Sequence, residues 1–104
     1  MRRGDVYLAT LPPPVGRRPV LLVTRSAAIG VRTAVTVAPV TRTIRGIASE
    51  VPLGRDHGLR AASVGNCDSL QTIPKDALRR RLGSLTPADL PRLDRALRYA
   101  LEIH

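Results

Sequence analysis

Two short apolar runs with a turn between them constrain this chain most. Arg18-Pro19 opens onto Val20-Leu21-Leu22-Val23-Thr24, and the β-branched stretch Thr33 to Val40 ends in Pro39-Val40-Thr41. Runs of this length, apolar at successive positions, read as strands buried on both faces. The connection Ser26 to Thr33 holds Gly30, a residue that tolerates positive φ in a turn. A hairpin turning near Ile29-Gly30 sets Arg18 opposite Thr41 and Arg25 opposite Ala34. A slip of one residue would exchange faces, but Arg18 and Thr41 would still emerge at one end of the sheet. A guanidinium beside a hydroxyl is suited to holding phosphate.

Charge supports that reading. Lys and Arg number 17 against 8 Asp and Glu, a net charge of +9 in 104 residues. A balance this basic favours a polyanionic partner. Lys75 is the only lysine; the other basic residues are arginines, whose planar fork binds phosphate bidentately. Tyr7 and Tyr99 are the only aromatics, so nucleic acid must be held by charge, hydrogen bonds and arginine stacking rather than by an aromatic platform. Cys67 is the sole cysteine, which rules out an intramolecular disulfide. No segment has the length of a membrane span and no signal-peptide core is present, so a cytoplasmic protein is expected.

The length suits one domain, residues 1–104, with one core. Asp5 to Leu11 reads as a strand with Val6 and Leu8 on one face and Tyr7, Ala9 and Leu11 on the other. Pro12-Pro13-Pro14 and Gly16 break it. Val20 to Arg25 and Thr33 to Val40 are the central strands. Thr41 to Gly46 is an exposed loop, Ala48 to Leu53 a strand, and Gly54 to Gly58 a turn. Ala62 to Gln71 carries one or two short strands, and Pro74 begins a helical turn through Arg80. At the C-terminus Thr86 is expected as N-cap, with Pro87 first in the helix and Asp89 in its first turn. Leu90, Leu93, Leu97, Ala100 and Leu101 form its apolar stripe. The sum is a mainly β fold with helices, a small barrel or strongly bent sheet closed by a terminal helix.

Other chemistry is sparse. Arg79-Arg80-Arg81 reads as a solvated helix face or a patch that tracks a phosphate backbone. His57, in the turn Arg55-Asp56-His57-Gly58, is the natural acid–base residue by its reference pKa, yet a turn histidine is more often simply exposed. Cys67 has no obvious histidine partner and reads as a buried structural thiol. Glu50, Asp56, Asp68 and Asp76 lack metal-ligand spacing, so no metal site is expected. No glycine-rich phosphate loop or dinucleotide fingerprint occurs, and no cofactor is expected.

In order and spacing, the chain resembles the MazF/PemK family of toxin endoribonucleases. The resemblance is carried by Arg3-Gly4-Asp5-Val6-Tyr7, by Arg18 to Thr24, by Val37-Ala38-Pro39-Val40-Thr41, by Ser63-Val64, by Asp68-Ser69-Leu70-Gln71-Thr72-Ile73, and by Arg81 to Leu90. It implies a small SH3-like β-barrel of MazF/CcdB type with a C-terminal helix, forming a homodimer. It also implies metal-independent cleavage of single-stranded RNA at short motifs, and neutralisation by a cognate antitoxin with an acidic segment. The family's catalytic arginine precedes the proline of its second strand, here Arg18, and its catalytic threonine ends the third strand, here Thr41. Arg17 is the competing arginine, but Arg18 is the one beside the proline. Arg17, Thr24, Arg42, Thr43, Arg45, Arg79 and Arg80 are the accompanying RNA-binding candidates. Where many members carry a longer loop between the first two strands, this chain has only Pro12 to Arg17, which bears on sequence preference more than on catalysis.

The expected chemistry is attack of a ribose 2′-OH on its own phosphate, leaving a 2′,3′-cyclic phosphate and a 5′-OH. The alternatives are a non-catalytic basic nucleic-acid-binding module, and a gyrase-inhibiting toxin resembling CcdB. Members of the latter rely on a tryptophan-bearing tail, whereas this chain ends Leu101-Glu102-Ile103-His104.

Overall fold

The computed structural model describes residues 1–104. Strand β1 (Asp5–Leu11) alternates as its sequence requires, sending Val6 into one apolar cluster and Ala9 and Leu11 into another. After the break at Pro12–Val15, β2 (Gly16–Leu22) returns antiparallel with Gly16 opposite Leu11 and Arg18 opposite Ala9. It thus starts earlier than the apolar run and stops short of Arg25. Pairing with β1 draws Arg17 and Arg18 into the strand. Leu21 faces one cluster while Val20 and Leu22 face the other, so β2 is buried on both sides.

Strand β3 (Ala34–Thr41) sets Val20 opposite Pro39, Leu21 opposite Ala38 and Leu22 opposite Val37. Continued by two residues, this register is the one that faces Arg18 with Thr41. The connection is different from a glycine turn. It contains a short helix, α1 (Ser26–Ile29), and Gly30 follows it at an ordinary right-handed φ of −68°. Ala28 and Ile29 are buried, and their burial favours a helical turn over a tight hairpin.

The other edge of β3 is shared. Strand β4 (Glu50–Leu53) pairs with β5 (Ser63–Asn66), and β5 reaches β3 only at Val40 and Thr41. Strand β6 (Gln71–Pro74) takes the first half of β3, Ala34 to Val37. With β7 (Leu78–Ser84) on the far side of β1, the sheet runs β4-β5-β3-β2-β1-β7, with β6 beside β3. It curls into the mainly β, barrel-like architecture that was expected.

Two expectations are corrected here. Arg79, Arg80 and Arg81 lie on β7, not on a helix; only Lys75–Ala77 makes a single helical turn. The free edge of β1 needs a partner for its backbone groups, and that need outweighs the helical character of the arginine run. The pairing is bulged, so that Arg79 and Leu82 are extra residues against β1. The terminal helix, α2 (Leu90–Leu101), starts later than predicted. Asp89 occupies the N-cap position and Pro91 falls in the first turn, while Thr86 donates from both its backbone N–H and its hydroxyl to Asp89 Oδ2 at 3.2 and 3.0 Å. Leu93 and Ala96 are the fully buried residues of α2; Leu101 is exposed.

His57 ties the Arg55–His57 turn to the start of α2. Gly54 N–H donates to His57 Nδ1 at 3.1 Å, and Nε2 lies 3.1 Å from Asp89 Oδ2. With Nδ1 accepting, the neutral ring carries its proton on Nε2 and donates it to Asp89. The His57 and Thr86 hydrogen bonds lower the Asp89 pKa below the usual carboxylate value. A depressed folded pKa makes the unfolded chain the tighter proton binder, so this contribution is fully present above about pH 4 and is lost as pH falls through the Asp89 pKa. Asp89→Asn is therefore expected to flatten the acid limb of stability, read as the urea midpoint between about pH 4 and pH 2. An acid limb parallel to the wild-type one would refute the linkage.

Candidate functional site

Arg18 and Thr41 are brought together by the β2–β3 register. Arg18 is half-buried, and its Nε donates to the Val40 carbonyl at 3.2 Å. That bond fixes the guanidinium across the strand pair. Its two terminal nitrogens make no hydrogen bond or ion pair, so the fork is open to a ligand. Thr41 Oγ1 accepts from the Thr43 N–H at 3.1 Å, which leaves its hydroxyl proton free to be donated. Both side chains line a groove of about 370 Å³ with no hydrophobic residue in its wall.

Thr43 and Arg45 line the same groove, as the sequence suggested. Asn66, Ser69, Gln71 and Glu50 join them, and these four were missed. Asn66 accepts from Asp68 N–H at 2.9 Å, which holds the turn Cys67–Ser69 against the groove. Glu50 is 8% exposed and organises the loop after β3. Its Oε1 accepts from Gly46 N–H at 2.9 Å and from Ile47 N–H at 3.4 Å, while Arg45 N–H lies 3.2 Å from both oxygens. A buried glutamate just downstream of a glycine-containing basic loop was the available signal, since buried carboxylates need such partners.

The remaining candidates are not gathered there. Arg42 and Arg80 line a second cleft, of about 350 Å³, on the other side of Thr41. Arg17 is exposed opposite Thr10, and alternation turns it away from Arg18. Arg79 donates from Nε to Thr10 Oγ1 at 3.3 Å. Thr24 is at the far end of the hairpin, where its hydroxyl accepts from Thr36 N–H at 2.7 Å and locks β2 to β3. Arg81 is also engaged, 3.6 Å from the buried Asp5 carboxylate.

Cys67 is buried, and desolvation, helped by the neighbouring Asp68 charge, pushes its thiol up to about 11. It is therefore protonated and a poor nucleophile at neutral pH. No three His, Cys, Asp or Glu side chains converge on one point. No helix is long and apolar enough to cross a membrane.

Comparison with known proteins identifies the family and the fold. Residues 2–101 match the family described as PemK-like, MazF-like toxin of type II toxin-antitoxin system. A Mycobacterium tuberculosis protein named endoribonuclease MazF3 is 44% identical over 86 residues, covering 83% of this chain and 84% of the relative. The structure of Mycobacterium tuberculosis toxin MazF-mt6 superposes with a TM-score of 0.89 at 40% identity, covering 96% of this chain and 98% of that one. A mycobacterial endoribonuclease solved in complex with its cognate antitoxin gives a TM-score of 0.86 at 31% identity, covering 100% of this chain and 97% of its own. A family match over residues 2–101, with relatives and solved structures alike over most of the chain, places this protein in the MazF/PemK family of toxins of type II toxin–antitoxin systems.

Proposed function

We propose that this MazF-family endoribonuclease cuts single-stranded RNA without a metal ion, with Arg18 and Thr41 as its catalytic residues. The ribose 2′-OH attacks the adjacent phosphorus and releases its proton to water, the P–O5′ bond breaks with the leaving O5′ taking a proton from water, and the products are a 2′,3′-cyclic phosphate and a 5′-OH. The observation that carries this reading is the open fork of Arg18 beside the free hydroxyl proton of Thr41. Negative charge grows on the non-bridging oxygens as the phosphorane forms. Two parallel N–H donors from Arg18 and one O–H from Thr41 fit that charge better in the transition state than in the ground state. Guanidinium does not give up a proton in proteins, so its part is charge stabilisation. Arg45 and Thr43 extend the same rim and hold neighbouring phosphates. The protein acts in the cytoplasm as a homodimer, and an acidic segment of its cognate antitoxin competes for the cationic groove.

The test is incubation of a long single-stranded RNA with purified protein in EDTA, with DNA of the same sequence alongside. Discrete cuts bearing 5′-OH ends are expected in the RNA, and the DNA, which lacks the attacking hydroxyl, should bind and stay intact. Cutting of the DNA, or 5′-phosphate ends, would rule out 2′-OH attack.

A further inference from the structure

Ser49 and Glu50, adjacent in the chain, are two of its four buried polar side chains, at 0% and 8% exposure. A buried polar group needs a partner, and these two find theirs in different segments that both line the Arg18 groove. Glu50 accepts from the main-chain N–H groups of Arg45, Gly46 and Ile47, in the loop that brings Thr43 and Arg45 to the groove. Ser49 holds the turn after β5: its hydroxyl donates to Asp68 Oδ2 at 2.5 Å, and its carbonyl accepts from Cys67 N–H at 3.0 Å. Within that turn Asp68 N–H donates to Asn66 Oδ1, and Asn66 Nδ2 donates to Ser69 Oγ at 3.3 Å. Asn66 and Ser69 are groove residues, and Asn66 stands opposite Glu50 in the β4–β5 register. One dipeptide at the start of β4 therefore ties both segments.

Glu50 is also the one carboxylate that lines the groove. A carboxylate there would repel a phosphate unless its charge were met by nearby donors. Two roles are open to it: taking a proton from the substrate, or anchoring the loop. A general base must aim a free lone pair at the proton that it takes. Glu50 Oε1 already faces the Gly46 and Ile47 amides, and the Arg45 amide lies 3.2 Å from both oxygens. Main-chain donors thus occupy the carboxylate from the loop side. Ser49 is wholly buried and touches no ligand.

We propose that Ser49 and Glu50 are positioning residues for RNA binding, a bracket that holds the Arg45 loop and the Asn66–Ser69 turn in one fixed relation across the groove. Both act through main-chain and turn contacts, without touching the RNA, and Glu50 takes no proton from it. The proposal rests on the endoribonuclease reading above.

The experiment uses the full chain and a short RNA spanning a mapped cut, with kcat and KM measured separately. Glu50→Ala is expected to raise KM roughly tenfold, the effect of losing one well-placed charged contact, with kcat little changed. Glu50→Gln keeps a carbonyl oxygen for the Gly46 and Ile47 amides and is expected to return KM to within about threefold of wild type. Ser49→Ala frees the Asp68 carboxylate and is expected to raise KM about threefold or more. A fall in kcat of about 10²-fold or more in Glu50→Gln would make Glu50 the proton acceptor and overturn the proposal. So would a wild-type KM in Glu50→Ala alongside a lowered urea midpoint, the signature of a residue that serves stability alone. A wild-type KM in Ser49→Ala would overturn the bracket. If circular dichroism shows that Glu50→Ala does not fold, Glu50→Asp, whose carboxylate stops one methylene short of the amides, is measured in its place against the same outcomes. If the wild type cuts no RNA, the endoribonuclease reading fails separately. The bracket is then read from equilibrium binding of a fluorescent single-stranded RNA. Weakening in Glu50→Ala with recovery in Glu50→Gln upholds it, and equal affinity or no binding in all three proteins overturns it.

Discussion

Replacing Arg18 with lysine is expected to lower the single-turnover rate of RNA cleavage by roughly 10²–10³-fold, the usual cost of losing one oriented donor to a developing oxyanion. The charge survives the change, but the geometry does not. Lysine has no Nε to lie against the Val40 carbonyl, so the bond that fixes the side chain across β2 and β3 disappears. It also presents a point charge where arginine presents two parallel donors. RNA affinity and its salt dependence should stay near wild type, because the number of phosphate-facing cations is unchanged. Gel-resolved single-turnover cleavage at saturating protein separates the two effects. A variant that cuts at the wild-type rate would mean the guanidinium fork is not used, and the bidentate account of the site would fall.

Gly58→Ala is expected to cost about 3 kcal/mol or more of folding stability, well above the effect of a typical surface change. Gly58 has φ +82°, and a Cβ there would lie 1.8 Å from the Leu82 carbonyl oxygen. A left-handed backbone alone costs a non-glycine residue about 1–2 kcal/mol. The steric term comes on top, because the colliding atom belongs to the backbone of a paired strand and cannot swing aside. Gly83 makes the reciprocal approach, with its missing Cβ 2.3 Å from the His57 carbonyl oxygen. Two glycines thus let the turn at residues 55–58 lie directly on β7. In a domain of this size about 3 kcal/mol corresponds to a fall in Tm of roughly 12–24 °C. Urea unfolding monitored by circular dichroism measures it, and a loss under about 1 kcal/mol would show that the two segments can separate freely.

How much of this was visible in the chain differs by element. The apolar runs Val20 to Val23 and Val35 to Val40 marked the two central strands, while a turn near Ile29-Gly30 set their expected register; α1 occupies that connection instead, yet the register is the same. From that register the neighbourhood of Arg18 and Thr41 follows. Strand β7 was not legible, because Leu78-Arg79-Arg80-Arg81 has neither strand alternation nor β-branched residues; its conformation is imposed by β1, from which residues 12–77 separate it. The start of α2 was misplaced for a related reason. Thr86 has the chemistry of a cap but spends it on Asp89, and Asp89 is in turn held by His57, 32 residues away. Glu50 escaped notice although its partners Arg45, Gly46 and Ile47 are sequence neighbours, because its burial is set by packing rather than by the local sequence. Thr24 drew attention as part of a motif, yet its hydroxyl serves the backbone of Thr36.

The carboxylate of Glu50 has a thermodynamic consequence for whatever enters the groove. Arg45, Gly46 and Ile47 are already held by it when the protein folds. Fixing the backbone of one residue costs about 1–2 kcal/mol in entropy, and here that cost falls on folding. An incoming strand meets a rim whose shape is set beforehand, so association should carry little ordering penalty from this loop. The same three amides are no longer available as donors to the strand. Recognition on this side of the groove is therefore left to the reach of side chains, which makes the identity of each rim residue, more than the path of the loop, the adjustable quantity.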